Sequence, residues 1–239
     1  MPFISRYADD PARPGVRSAL RDAALRAVLP GVAVFGVIVA VGLLLKGPLS
    51  GLGTSEEGVN RRLVAWRTPA WNTITMLCSH IGNTEYVIGV CVLVAAVIWW
   101  RTKQWWYAAV PLLAISLQAT IFVLTTLVIA RPRPHVSHLD PAPPTSSYPS
   151  GHEGASTALY VTFVLMATRI RQPVLRTVVL VVCALVPFLV GFARLYRGMH
   201  HVSDVTMGAV NGFTCAMLAW GYLRRDSTAG TAGRSQTLV

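Results

Sequence analysis

Three short polar clusters between Arg131 and Asp204 hold the residues of this chain best suited to chemistry. They read Arg131-Pro-Arg133-Pro, Pro149-Ser150-Gly151-His152 and Arg194-x5-His200-x3-Asp204, with long apolar stretches between them. Arginine, histidine and aspartate are expensive beside a bilayer, so their presence there argues for function before packing. His200 and Asp204 are four residues apart where an apolar run begins, a spacing that puts two side chains on one helical face. A carboxylate accepting from one imidazole nitrogen sets the tautomer and leaves the other nitrogen free as a nucleophile. His201 competes with His200, lying three residues from the same aspartate. Ser150-x-x-Glu153 has the form of a helix capping box directly before another apolar run. The free backbone N–H groups of such a helix start, with Gly151 allowing close approach, make an anion site. His152 would stand beside the bound anion as a general acid. Arginines in these clusters can clamp an oxyanion with two parallel hydrogen bonds. The alternative is that they anchor span ends at a membrane interface.

The elements that must position these clusters are membrane helices. Of the 239 residues 53 % are hydrophobic and only 13 % charged, with a mean hydropathy of +0.51. Soluble domains carry about 25 % charged residues. The net charge of +11 does not form the continuous basic stripe of a nucleic-acid binder. The basic residues fall in short groups between apolar runs, which fits a chain facing anionic lipid. Cys78, Cys91, Cys183 and Cys215 lie in apolar stretches without paired spacing, so they are expected to be buried thiols. No small-residue cleavage site follows the first apolar run, so that run is expected to remain as a span.

In chain order the pattern predicts an all-α membrane bundle of six spans. Residues 1–27 form an N-terminal segment, 28–224 the six-span domain and 225–239 a disordered tail rich in Ser, Thr and Gly. Residues 28–45 make the first span. Thr54-Ser-Glu-Glu57 has capping-box form and is expected to open an interfacial helix carrying Val59, Leu63, Val64 and Trp66. Residues 69–81 read as a short leading helix, broken at Gly82-Asn83 from a second span over about 84–100. Further spans are expected over about 106–130, 153–168, 174–193 and from near Val202 to just before Arg224. Six crossings place both termini on one side and all three polar clusters on the other. Thirteen of the 21 basic residues then lie on the terminal side, so the positive-inside rule puts the termini in the cytoplasm and the clusters outside the plasma membrane.

Together the three clusters resemble the signature of the type 2 phosphatidic acid phosphatase superfamily, the lipid phosphate phosphatases, in a membrane member of bacterial type. The resemblance covers the second half of the chain, and its last two clusters are the specific parts. It selects His200 over His201 as nucleophile, with Asp204 as its partner. It implies His152 as the acid that protonates the leaving oxygen and then activates water. Arg133, Ser150, Gly151 and Arg194 would hold the phosphate, with Arg131 and Arg197 as further candidates. The first motif departs from the family's Lys-x6-Arg-Pro, because Thr126 stands where the lysine belongs, and Ala193 replaces a serine before Arg194. Thr126 can offer one neutral hydrogen bond but no charge, and Arg131 or Arg197 could supply that charge instead.

The resemblance implies a metal-free, cofactor-free phosphatase working through a phosphohistidine. The substrate would be a lipid phosphate at the outer leaflet: phosphatidic acid, phosphatidylglycerophosphate or a polyprenyl diphosphate. Two alternatives stay open: a phosphotransferase using the same intermediate, and a non-catalytic lipid-binding or transport relative. Vanadate-dependent haloperoxidases share the motif set, but they are soluble and keep the lysine. His135-x2-His138-x-Asp140 could mimic a metal site, yet its proline-rich surroundings read better as a lid over the active site.

Overall fold

A computed structural model describes residues 14–223. The expected C-terminal tail and the start of the N-terminal segment lie outside the described residues. The described chain is helical and matches the expected order with one addition. Helix α1 runs from Val16 to Lys46, so it starts well before the span expected from residue 28. Its early part, with a π turn over Ala24–Val28, carries Arg17, Arg21 and Arg26 on the end opposite the polar clusters. There Ala19 is buried against Trp106, Tyr107 and Tyr222.

Helix α2 spans Ser50–Ala65, and here the capping-box expectation fails. The helix has already begun when it reaches Thr54, and no side chain caps its start. The two glutamates of that motif point elsewhere. Glu56 accepts from the backbone N–H and hydroxyl of Ser203 at 2.8 Å each, and Glu57 pairs with His135. Trp66, at the helix end, is exposed as an interfacial anchor should be. Helix α3 (Pro69–Ile81) is capped by Thr68, and α4 (Thr84–Thr102) follows after the Gly82-Asn83 break. Helix α5 is Trp105–Val128, α6 Gly151–Ala167, α7 Pro173–Tyr196 and α8 Val202–Gly221.

Helices α1, α4, α5 and α7 are long and apolar enough to cross a membrane by themselves. Helices α6 and α8 fall short of that: α6 has 17 residues, and α8 mixes Ser, Asp, Thr, Asn and Gly with its apolar residues. They pack on each other at the centre of the bundle. Gly208 and Gly212, one turn apart on α8, make this possible. A methyl group at Gly208 would come within 2.5 Å of the Ser150 carbonyl oxygen, and one at Gly212 would collide with Gly154 and Ala158. Small residues let membrane helices approach closely where burial from water gives no drive. That contact brings the N-termini of α6 and α8 together, and with them the second and third polar clusters.

The 22 residues between α5 and α6 (129–150) form one long loop. It is tied down along its length. Tyr148 is fully buried and its hydroxyl donates to Ile38 O of α1 at 2.8 Å. The Ser147 hydroxyl donates to Pro132 O, and its N–H to Arg131 O.

Candidate active site

A cavity of about 540 Å³ opens where the ends of α3, α5, α6 and α7 meet this loop. Five of the residues singled out in the sequence border it: Arg133, Gly151, His152, Arg194 and His200. They come from four separate places in the chain, and only the fold gathers them. Arg131, Ser150, Arg197, Asp204 and Thr126 do not border it.

His200 is 4 % exposed, and its Nδ1 lies 2.7 Å from the carbonyl oxygen of Ser147. The expected Asp204 bond is absent, the nearest carboxylate oxygen being 3.9 Å away. The reason is local. Helix α8 begins at Val202 with an extended His201 as its N-cap, so His200 precedes the helix and helical spacing does not apply to it. The aspartate instead accepts from the His201 backbone N–H at 2.8 Å and lies 3.2 Å from the His201 Nδ1. Its other oxygen accepts from Arg131 Nη1 at 2.5 Å. A carbonyl acceptor at Nδ1 places the proton there and leaves Nε2 with a lone pair. Burial, and then the charges of Arg194 and Arg133, hold this ring well below the ordinary value of 6.5, against the opposing bond to Ser147. The ring is therefore neutral at neutral pH, as a nucleophile must be.

Ser150 caps α6 as expected, accepting from the Glu153 N–H at a long 3.5 Å. The glutamate completes no box, because its carboxylate accepts from Thr157. Ser150 is fully buried behind the cavity wall, so the first turn of α6 presents Gly151 and His152 rather than the serine hydroxyl. His152 Nε2 lies 2.9 Å from Asn83 Oδ1.

Of the four arginines, two face the cavity and two do not. Arg133 donates from Nη1 to Met199 O at 2.8 Å, and its buried Nε has no partner. Arg194 donates from Nη1 to Ser79 Oγ at 2.8 Å and Asp140 Oδ2 at 3.0 Å, and its buried Nε is likewise unpartnered. Two buried guanidinium N–H groups without acceptors, both in residues that border one cavity, suit an anionic guest. Arg131 is instead taken up by Asp204, Glu56 and Ser203. Arg197 is held by both oxygens of Asp140 and by the carbonyls of Asn72 and Leu139. Neither borders the cavity to stand in for the missing lysine. Thr126 does not either, and its hydroxyl donates to Val123 O of its own helix at 2.8 Å.

The three residues that could mimic a metal site separate in the fold. His135 pairs with Glu57, His138 with the Pro134 carbonyl, and Asp140 with the two arginines. Burial works to raise the Asp140 carboxyl, but the Arg197 hydrogen bonds and the charges of Arg194 and Arg197 outweigh it and hold it below its ordinary value. Asp140 thus latches the loop across the cavity, where Asp140, Pro141, Pro143 and Ser146 form one wall. This is the placement expected of a covering element.

Comparison with known proteins agrees with this arrangement. The PAP2 superfamily profile matches residues 104–227, which include all three polar clusters. This chain belongs to the PAP2 superfamily. It is 24 % identical over 172 residues to phosphatidylglycerophosphatase B of Bacillus subtilis (strain 168), covering 71 % of this chain and 83 % of that protein. The fold resembles the crystal structure of a transmembrane PAP2-type phosphatidylglycerolphosphate phosphatase from Bacillus subtilis, with a TM-score of 0.71 at 22 % identity over 80 % of this chain and 94 % of the other. Aquifex aeolicus LpxE matches with a TM-score of 0.54 at 20 % identity, over 68 % of this chain and 93 % of that one. The chain is thus an integral membrane protein with the PAP2 helical fold.

Asn83, Ser79 and the Ser147 carbonyl complete the site and were not apparent from the motifs, while Asp140 was singled out only as part of the covering loop. Ser79 and Thr75 are polar positions one turn apart in an apolar helix, a signal that was present. The Ser147 acceptor is a backbone atom, and no residue type announces it.

Proposed function

We propose that this chain is a lipid phosphate phosphatase that works through a phosphohistidine on His200, on the outer face of the membrane. The observation that carries the proposal is the composition of the cavity wall. His200, His152, Arg133 and Arg194 converge on one side, while Val87 and Ile88 of α4 and Ile115, Ala119 and Phe122 of α5 line the other. Ile88 and Ala119 are exposed, so the apolar wall continues onto the lipid-facing surface of these helices. A phosphorylated head group would enter among the charges with its chain still in the bilayer.

In the reaction the His200 Nε2 lone pair attacks phosphorus in line, and the P–O bond to the lipid breaks. His152 gives its proton to the departing oxygen, a contribution of about 10²–10⁴ in rate for a positioned acid. Neutral His152 then takes a proton from water, the hydroxide attacks the phosphohistidine, and inorganic phosphate leaves. Arg133, Arg194 and the amides at the start of α6 stabilise the charge that builds on the equatorial oxygens. The charge bias described above favours an extracytoplasmic site with cytoplasmic termini.

The substrate class is tested by phosphate release in detergent with EDTA present. Phosphatidylglycerophosphate comes first, given the relative's name, followed by phosphatidic acid and a polyprenyl diphosphate. The expected result is release from at least one lipid by wild type and none by His200→Ala. Equal release by both proteins would overturn the proposal.

A further inference from the structure

We infer that Asn83, at the corner between α3 and α4, is the positioning residue that holds His152 for proton transfer. The inference rests on the reading of His152 as general acid. Three observations point to it. The first is the contact itself, 2.9 Å between Asn83 Oδ1 and His152 Nε2. A neutral amide oxygen at that distance accepts a proton from Nε2, fixes the ring plane and leaves Nδ1 as the second proton-bearing atom.

The second is what Asn83 gives up to make that contact. It occupies the N-cap position of α4 with extended backbone (φ −65°, ψ 143°), yet its side chain makes no capping bond. Asparagine is among the strongest N-cap residues because its oxygen can satisfy the free N–H groups of the first turn. Here that oxygen is turned away from its own helix and toward His152. The third is the fit of the corner. A Cβ at Gly82 would sit 3.0 Å from the His152 carbonyl oxygen and 3.1 Å from its Cβ. The glycine lets the corner press against the first turn of α6, which brings the next residue within bonding range. Both Gly82 and Asn83 border the cavity.

The charged and titratable groups around His152 are Arg194 of α7, Asp140 and Arg133 of the loop, His80 of α3 and the neighbouring His200. All stay in place when only Asn83 is changed. Three variants separate positioning from capping in the full-length protein, assayed against the phosphatidylglycerophosphate panel. Asn83→Ser keeps a strong N-cap but is too short to reach His152. It is expected to retain the wild-type melting temperature and KM while kcat falls about 10- to 100-fold. Asn83→Asp puts a carboxylate against Nε2, which favours the protonated ring. The alkaline limb of its kcat profile is expected to move up by about one pH unit or more. Should Asn83→Ser also lower the melting temperature, the Asn83→Asp profile carries the test alone. A wild-type kcat in Asn83→Ser, or an unshifted limb in Asn83→Asp, would overturn the inference. His152→Ala is the third variant. If it is fully active, the reading of His152 as the acid fails; if it is inactive while both Asn83 variants behave as wild type, only the positioning role fails.

Discussion

His200 Nδ1 is bonded to the carbonyl oxygen of Ser147 at 2.7 Å and stands 3.9 Å from the nearest oxygen of Asp204. The proposed nucleophile is thus oriented by the loop that borders the cavity, and the aspartate of the same motif is committed to Arg131 and His201. Position in a motif and hydrogen-bond partner are separate facts here, and they lead to different expectations for the two residues.

Asp204 is fully buried against an almost fully buried Arg131. Removing one partner of such a pair leaves the other charge uncompensated, at a cost of about 3–5 kcal/mol. Asp204→Ala is therefore expected to show its main effect as a lowered melting temperature in detergent. Asp204→Asn, which keeps the shape, should lose about 10- to 100-fold in kcat, far less than His200→Ala. Loss of all activity in a well-folded Asp204→Asn would show that the aspartate acts on His200 directly.

Arg133 and Arg194 each keep a buried Nε without a partner, and both border the cavity. Replacing either by lysine keeps the charge but removes the planar fork. A drop of about 10²–10³ in kcat/KM is expected, measured as phosphate release at subsaturating lipid. Arg197→Lys should behave differently. Its guanidinium holds Asp140 through three hydrogen bonds and lies off the cavity, so the expected effects are lower thermal stability and faster proteolysis in the 129–150 loop.

Thr126 occupies the place of the family's lysine, and its hydroxyl is satisfied within α5. Thr126→Val is expected to leave kcat and KM within about twofold, since substitutions away from a special contact stay within about 0.5 kcal/mol. A large loss on making this change would mean that the hydroxyl turns into the cavity when substrate binds.

The His200 ring is held well below 6.5 by burial and by Arg194 and Arg133, which sets the sign of its pH response. In the proposed mechanism the attacking ring must be neutral, and a depressed value keeps it neutral as the solution is acidified. The acid limb of kcat/KM, which reports the free enzyme, should therefore fall below pH 6.5 rather than at it. The same shift stabilises the fold: the unfolded chain takes up this proton at about 6.5 and the folded one only at lower pH. That contribution is complete above about 6.5 and is lost as pH falls from there toward the lowered folded value. Melting temperature and rate measured across pH 4–8 check both directions.

The bundle was legible in the sequence because its signals are long: apolar runs of about twenty residues, and a Gly82-Asn83 break where one helix ends and another begins. The start of α1 was not, because an amphipathic stretch carrying Arg17, Arg21 and Arg26 has no apolar run to announce it. Arg133, Gly151, His152, Arg194 and His200 were legible because each stands in a motif, and the fold brings all five to one cavity. The partners of those residues were hidden. His200 lies just outside α8, so counting four residues to Asp204 assumed a helix that had not begun. Glu56 looked like half of a capping box and instead bridges Arg131 and Ser203. Local sequence cannot show contacts that form between residues 75 or 147 positions apart.

The most direct test is to trap the covalent intermediate. Purified protein would be mixed with phosphatidylglycerophosphate carrying a radiolabelled phosphate monoester, then quenched within a single turnover. A phosphohistidine predicts label on the protein that survives alkali and is lost in acid. That label should be absent from His200→Ala and should persist longer in His152→Ala, where water is not activated. Substrate turnover by wild type with no label on the protein, or equal label on His200→Ala, would contradict His200 as the nucleophile.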